Sequence, residues 1–394
     1  MIGFETIGNA TLTLFDHEPI MTTDPWVFGN PYFGSWGHKY HIPNEQLNNI
    51  KKCKFIWLSH GHPDHIDPDS FSLFKGKTIL LADHFNKRIL NDLSKEYNCI
   101  ELKSNRWFEI SKNIRIKSFS DWNQDSSLLI EVLKKDIILN LNDGQALGWS
   151  SEIKKIIKKY QNRFLLRLIS WGDADMINFY DHHDKFILPL AAEKKPCGET
   201  YSYNLKKWGC NFALPFSSMH KYVRNDSLKM NKFITPLELH YEKFSNRYGE
   251  MLPAFIKWNS LNDDYEKINP EENLDEIKTS DYYGDNWSDQ LEEEDKSILK
   301  DYFSKFYHLK QKFGFINFVI GKEEFNIKLS DKKAGIQFKT PRNSLIYAIN
   351  NKIFDDLLIG NFMKTKLINV PSLYPDFTPY VAKYGDNANI YSKK

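Results

Sequence analysis

The stretch Phe55-Ile-Trp-Leu-Ser-His-Gly-His-Pro-Asp-His65 runs from a short apolar segment into three histidines and an aspartate within six residues. A buried strand delivers such a cluster well, because its end is rigid and the following loop can curl around an ion. His60 and His62 lie two apart, so both face one side of an extended turn, and Asp64 and His65 come from the curl beyond it. Neutral imidazoles with a carboxylate suit borderline divalent ions such as zinc, or iron. These few residues do not fill two coordination spheres, so further ligands must come from other strand ends.

Working outward, the sequence offers such ends. Asp143 closes Ile137-Ile-Leu-Asn-Leu-Asn142 and precedes Gly144, as expected of an acid at a strand-to-loop junction. His220 follows the strand Phe212-Ala-Leu-Pro-Phe216, and Asp121 follows a strand that ends at Phe119. His182 and His183, inside Asp181-His-His-Asp184, read either as a polar loop or as metal-linked; His41 and His84 have no supporting context. Upstream, Asp24-Pro-Trp-Val-Phe-Gly-Asn-Pro-Tyr-Phe-Gly-Ser-Trp-Gly37 is an irregular loop heavy with rings. It reads as a lid or pocket wall, with Trp26, Phe33 and Trp36 as the substrate-facing candidates.

The remaining pattern alternates strands and helices. Phe4–Ile7 and Ala10–Phe15 read as strands about a Gly8-Asn9 turn, and Ile20–Thr23 as a third. A short helix over Asn44–Ile50 precedes the cluster strand, and Asp67 is a helix N-cap after it. Ser151–Arg163 reads as an amphipathic helix with Ile153, Ile156, Ile157 and Tyr160 on one face, and Leu165–Ser170 as a strand closing on Trp171-Gly-Asp-Ala-Asp175. After about Trp258 the composition changes. Residues 259–296 are crowded with acids and read as a solvated linker with a helical patch, leaving 1–258 as the cluster-bearing domain and 297–394 as a smaller α+β domain.

Composition excludes several classes. The 53 basic and 51 acidic residues leave a formal charge of +2, which argues against a nucleic-acid groove or a polybasic membrane surface. No apolar run approaches the roughly 18 residues needed to span a bilayer, and the first residues lack the pattern of a signal peptide. Four cysteines, Cys53, Cys99, Cys197 and Cys210, are widely spaced, which points to a reduced, cytoplasmic protein. A metal at the cluster supports two chemistries. It can lower the pKa of water and supply hydroxide for hydrolysis, or, as an iron pair, bind and reduce dioxygen. A degenerate binding or scaffold protein is a third reading, which the intact histidine run argues against.

These residues also carry a family likeness. Gly8-Asn-Ala-Thr11, Asp24-Pro-Trp26, Ser59-His-Gly-His-Pro-Asp-His65 and Asp143 resemble the motifs of the metallo-β-lactamase superfamily, over about residues 1–243. The resemblance implies an α/β fold, an αββα sandwich with a binuclear site at one edge of its sheets. Its ligands would be His60, His62, Asp64, His65, Asp143 and His220, with Asp121 as a seventh. The loop Thr23–Trp36, Ile138–Asp143, Leu214-Pro-Phe216 and the tail Asn343–Phe362 are similar to the CMP-N-acetylneuraminate hydroxylase group. That likeness implies a di-iron, dioxygen-using hydroxylase or oxidase of a sugar-nucleotide-like or other polar small molecule. The alternative is a di-zinc or mixed-metal hydrolase of a lactone, ester or phosphodiester, with Asp64 as acid/base.

Two departures qualify this. Those hydroxylases carry a Rieske iron–sulfur domain, which needs paired Cys and His ligands at close spacing. This sequence lacks that spacing, so the electrons are expected from an external donor protein or from the substrate. The ligand position between the cluster and Asp143, often His in the superfamily, falls on Asp121 here, with Asn123 and Asp125 as alternatives.

Overall fold

The computed structural model describes residues 1–121, 125–170, 177–274 and 276–385. Among the described residues, eight strands form the first sheet. Their spatial order is Asp264–Lys267, Ile256–Asn259, Ile2–Ile7, Thr11–Asp16, Glu18–Thr23, Phe55–Leu58, Thr78–Ala82 and Asn98–Leu102. A second sheet of seven runs Glu250–Met251, Phe212–Pro215, Asn162–Arg167, Asp136–Asn142, Ser126–Val132, Ile114–Ser120 and Trp107–Glu109. Both are mixed: hairpins give the antiparallel pairs, and helical crossovers give the parallel ones.

Period-two alternation decides how the layers stack. Along the cluster strand, Trp57 faces inward onto a core with Phe4, Leu12, Leu14, Ile130, Ile138 and Phe164, drawn from both sheets. Its neighbours Ile56 and Leu58 face outward, onto Ile50 of the helix Asn44–Lys52 and Ile89 of the helix Arg88–Leu93. On the second sheet Leu139 and Leu165 face outward onto Ile153 and Ile157 of the helix Ser150–Ile157 and onto Tyr201 and Leu205 of the helix Gly198–Trp208. Two sheets back to back with helices outside make the αββα sandwich. Each fully buried Leu or Ile in these layers contributes about 1.5–3 kcal/mol. The helix expected over Ser151–Arg163 stops at Ile157, because Asn162 and Arg163 are taken into the second sheet beside Asp136 and Ile137.

A third layer follows. Its five strands lie in the order Phe179–Tyr180, Lys364–Ile368, Gly335–Lys339, Phe315–Ile320 and Glu323–Lys328. Helices Glu293–Ser304, Arg342–Asn351 and Phe354–Ile359 pack on this sheet through a core that includes Phe303, Phe318, Phe338, Phe354 and Phe377. The strand Phe179–Tyr180 comes from the middle of the chain, so this layer is not built from residues 297–394 alone.

The acidic stretch is not a solvated linker. Asp264–Lys267 is an edge strand of the first sheet, and the fully buried Asp285 is ion-paired to the fully buried Arg224 at 2.6 Å. Glu292 and Asp295 form a capping box, where the helix Glu293–Ser304 favours acids at its N-terminus. Most acids of the stretch are exposed, as composition implies, but Asp285 and Asp295 are buried and, with the edge strand, bind it to the rest of the molecule. The four cysteines are unpaired, Cys53, Cys197 and Cys210 being buried. Among the described residues no helix is long and apolar enough to cross a membrane.

Candidate metal centre

The site lies where the cluster strand and Asp136–Asn142 reach the same edge of the two stacked sheets. Past Leu58 the chain makes one tight turn, in which the amides of His65 and Ile66 donate to the His62 carbonyl at 3.0 and 2.8 Å. Gly61 permits a close approach there, since a Cβ at this position would stand 2.2 Å from the Tyr384 ring. The turn is tied down behind by Asp67, whose carboxylate accepts from the Ser70 amide at 2.7 Å. Ser70 Oγ accepts in turn from the amides of Val27 and Phe28, both at 3.0 Å, which anchors the aromatic loop.

The imidazoles converge. His60 Nε2 lies 2.9 Å from His62 Nδ1, and Asp143 Oδ2 lies 3.7 Å from both His60 Nε2 and His65 Nε2. One ligand atom each from His60, His65 and Asp143 falls within a 4.8 Å span. His65 Nε2 is buried without a hydrogen bond and stands 3.2 Å from Asp64 Oδ2. The outward nitrogens of two of these rings are held as well. His60 Nδ1 is 2.9 Å from Ser59 Oγ, while His65 Nδ1 is 3.1 Å from Asn142 Nδ2 and 3.6 Å from Asp24 Oδ2. Asp24 is itself fixed by the Ser59 amide, which donates to its Oδ1 at 2.7 Å.

Asp64 is bound on both oxygens. Asn9 Nδ2 donates to Oδ2 at 2.9 Å, and Tyr32 Oη donates to Oδ1 at 2.5 Å. Burial raises its pKa, but His65, then the Tyr32 hydroxyl and His62 outweigh that and hold the carboxyl below its usual range. Asp143 Oδ1 accepts from Ser217 Oγ at 3.2 Å. His220, on the strand His220–Tyr222, is fully buried and stacks on Trp36 with centroids 3.6 Å apart. Burial holds it neutral, lowering its pKa to about 3 against a weaker opposing pull from Asp64.

Not every expected residue reaches the cluster. Trp26 is buried and stacks on His38 at 4.0 Å, and Phe33 packs edge-on against Tyr347 and Phe362 of the third layer. Of the three pocket candidates, Trp36 is the one stacked on a site histidine. Asp121 is buried, and its Oδ1 accepts from the Asp125 amide at 3.2 Å, closing that loop. Asp125 is raised to about 7, first by burial and then by Asp121 and Asp143, with His62 and His65 pulling the other way. Asn123 and Trp171–Asp175 lie outside the described residues. His182 and His183 are exposed in a turn whose Asp181 accepts from the His183 amide at 2.9 Å.

Several residues went unread in the sequence. Asn9 had the look of a turn residue and Tyr32 was one ring among many, so neither carried a local signal. Asp355 and Asp356 did: two acids interrupt the apolar run of Phe354–Ile359, and both are buried. Asp355 Oδ2 stands 3.7 Å from His62 Nε2. Burial works against charge on His62, yet Asp355 and then Asp356 raise its pKa to about 9. His84 is buried next to His60, and burial lowers it to about 4.

The donor set fits divalent metal. His60 is kept neutral chiefly by burial and then by His65 and His62, as a ligand must be. Asp24, Asp64, Asp143, Asp355 and Asp356 gather carboxyl groups around the imidazoles, and a cation bound there would favour their charged forms.

Two stacked mixed sheets with helices outside are the αββα arrangement of the metallo-β-lactamase fold, and the His-x-His-x-Asp-His run lies at their common edge. No protein-family model matches the chain. Over 155 residues it is 26% identical to the cytidine monophosphate-N-acetylneuraminic acid hydroxylase of Asterias rubens; the match covers 35% of this chain and 24%, about a quarter, of that protein. Among solved structures it is similar to the isothiocyanate hydrolase from Delia radicum gut bacteria, with TM-score 0.43 and 13% identity over 64% of this chain and 95% of that one. Another is the metallo-β-lactamase fold protein YhfI from Bacillus subtilis, with TM-score 0.31 and 12% identity over 63% and 88% of the two chains. A third is the CmlA β-hydroxylase, with TM-score 0.37 and 13% identity over 54% and 45%.

Proposed function

We propose that this chain is a binuclear-metal enzyme that hydroxylates or oxidises a sugar-nucleotide-like or other polar small molecule with dioxygen. The observation that carries the reading is the convergence of His60, His62, His65 and Asp143 at the sheet edge within a carboxylate-rich surround. His60, His62, Asp64, His65, Asp143 and His220 would hold the two ions, and Asp121 and Asp125 stand nearby. Carboxylate-rich coordination suits iron, and the match to a hydroxylase over 155 residues supports the same side. When bound, an iron pair supplies one-electron chemistry toward dioxygen.

The chain's own groups do the rest. Asn9 and Tyr32 fix Asp64 so that Oδ2 faces His65 while Oδ1 accepts from the phenol. Trp36, stacked on His220, covers one side of the site and keeps water away. Electrons come from an external donor or from the substrate.

A second reading rests on the imidazoles. His60, His62, His65 and His220 together suit zinc, and then water activation with Asp64 as acid/base makes a hydrolase of a lactone, ester or phosphodiester. Metal analysis of the purified full chain with an optical spectrum separates the two. Two irons with near-ultraviolet oxo-bridge absorption and oxygen uptake are expected. Two zincs and no oxygen uptake would sink the oxygenase reading in favour of the hydrolase.

A further inference from the structure

The three histidines of the cluster differ in what holds their far nitrogens. His60 is held by Ser59 and His65 by Asn142 and Asp24, all within the αββα sandwich. His62 turns Nδ1 toward His60 and presents Nε2 to Asp355 in the helix Phe354–Ile359 of the third layer. That helix has two working faces. Phe354, Leu357 and Leu358 sit in the third-layer core, whereas Ile359, one turn beyond Asp355, packs with Tyr32, Trp36 and Tyr222 beside the site. Asp355 is thereby carried to the cluster by the same packing that builds its own layer.

We propose that Asp355 is the positioning carboxylate for His62. It accepts the Nε2 hydrogen, fixes the tautomer that leaves the Nδ1 lone pair facing His60, and so couples metal affinity to the third layer. Three observations carry this. Asp355 is only 4% exposed, a costly place for a carboxylate without a partner. Its Oδ1 makes no hydrogen bond, so His62 is the partner that accounts for its burial there. And Asp355 Oδ2 stands 3.7 Å from His62 Nε2, an ion-pair distance, with the His62 ring part-exposed at the mouth of the cluster. Partners of this kind are general for metal-bound histidines, and their loss typically costs about tenfold to a hundredfold in metal affinity.

The proposal rests on the binuclear-metal reading, and the test keeps the two apart. Cobalt(II) is titrated into the full-length, metal-stripped protein against a chelator, reading affinity and the visible d–d spectrum. The parent is compared with Asp355→Asn, Asp355→Ala and Asp355→Glu, and with Asp376→Asn as a third-layer control. The near-isosteric Asn variant covers the case in which Ala disturbs the fold. Expected are a roughly tenfold to hundredfold loss of affinity with an altered spectrum for Asn and Ala, partial recovery with Glu, and no change for the control. In a His62→Ala background, replacing Asp355 should cost nothing further. Parent-like affinity in Asp355→Asn, or a loss that persists without His62, overturns the positioning role. A parent chain that binds no cobalt overturns the metal reading itself.

Discussion

Tyr32 Oη donates to Asp64 Oδ1 at 2.5 Å, joining a ring of the aromatic loop to the cluster. Tyr32 is buried, so its phenol has no water to replace that partner. Tyr32→Phe should lower the stability of the metal-free protein by about 1.5–3 kcal/mol, the value of a hydrogen bond to a charged group. Metal loading should recover part of it, because an ion takes over the charge of Asp64. Denaturant unfolding with and without added metal measures both effects; equal losses in the two states would contradict the placement of Asp64 at the metal.

His62→Ala and Asp143→Ala should each abolish binuclear loading. His62 lies 2.9 Å from a neighbouring imidazole nitrogen, and Asp143 stands between His60 and His65 at 3.7 Å from each. Elemental analysis after purification is the readout. Two ions per chain surviving in either variant would place the centre elsewhere.

Arg224 is fully buried and holds the acidic stretch to the rest of the molecule. It donates to Asp285 at 2.6 Å, to Asp226 at 2.9 Å and to the Phe33 carbonyl at 2.9 Å, and lies 3.7 Å over the Phe362 ring. Arg224→Met leaves Asp285 buried with only the Ser344 amide and hydroxyl to answer its charge. A loss of about 3–5 kcal/mol is expected by urea denaturation.

His240 gives a pH signature away from the cluster. It is buried, its Nδ1 is 3.0 Å from Tyr201 Oη, and burial, with a smaller push from Lys39, lowers its pKa to about 4. The unfolded chain takes up this proton near pH 6.5, the folded one only near 4, so stability falls as pH drops through that window. The effect is on the order of 3 kcal/mol at its fullest. His240→Gln should flatten the stability profile between pH 6.5 and 4; an unchanged slope would mean that His240 does not titrate there.

Gly61→Ala should act through the third layer. The added methyl meets the Tyr384 ring at 2.2 Å, and that side chain can swing away. The expected result is a folded protein with faster hydrogen exchange around residues 377–385. Global unfolding would show instead that the turn itself cannot take a Cβ.

What the sequence disclosed depended on how locally each feature was written. The run from Phe55 to His65 carries strand, turn and ligand chemistry in consecutive residues, and the unbroken apolar Phe55-Ile-Trp-Leu58 implies a strand buried on both faces. Asp143 was readable because an acid before Gly144 ends an apolar strand. Asp355 and Asp356 stand out as two acids in the apolar run Phe354–Ile359, but nothing in the sequence says that this helix packs beside His62. Phe33 and Trp36 stand three apart in one loop, yet one enters the third-layer core and the other meets His220; only tertiary packing separates them. The acids after Trp258 misled because composition counts charges without saying which will be capped or paired.

The strand Phe179–Tyr180 bears on how the molecule is made. Beside it Asn178 donates to the Met363 carbonyl, 185 residues further along. During synthesis the chain emerges from its N-terminus, so this strand waits with an open edge until Lys364–Ile368 arrives. A chain halted at the end of the αββα sandwich thus lacks both Lys364–Ile368, the strand that pairs with Phe179–Tyr180, and the helix Phe354–Ile359 that carries Asp355 to His62.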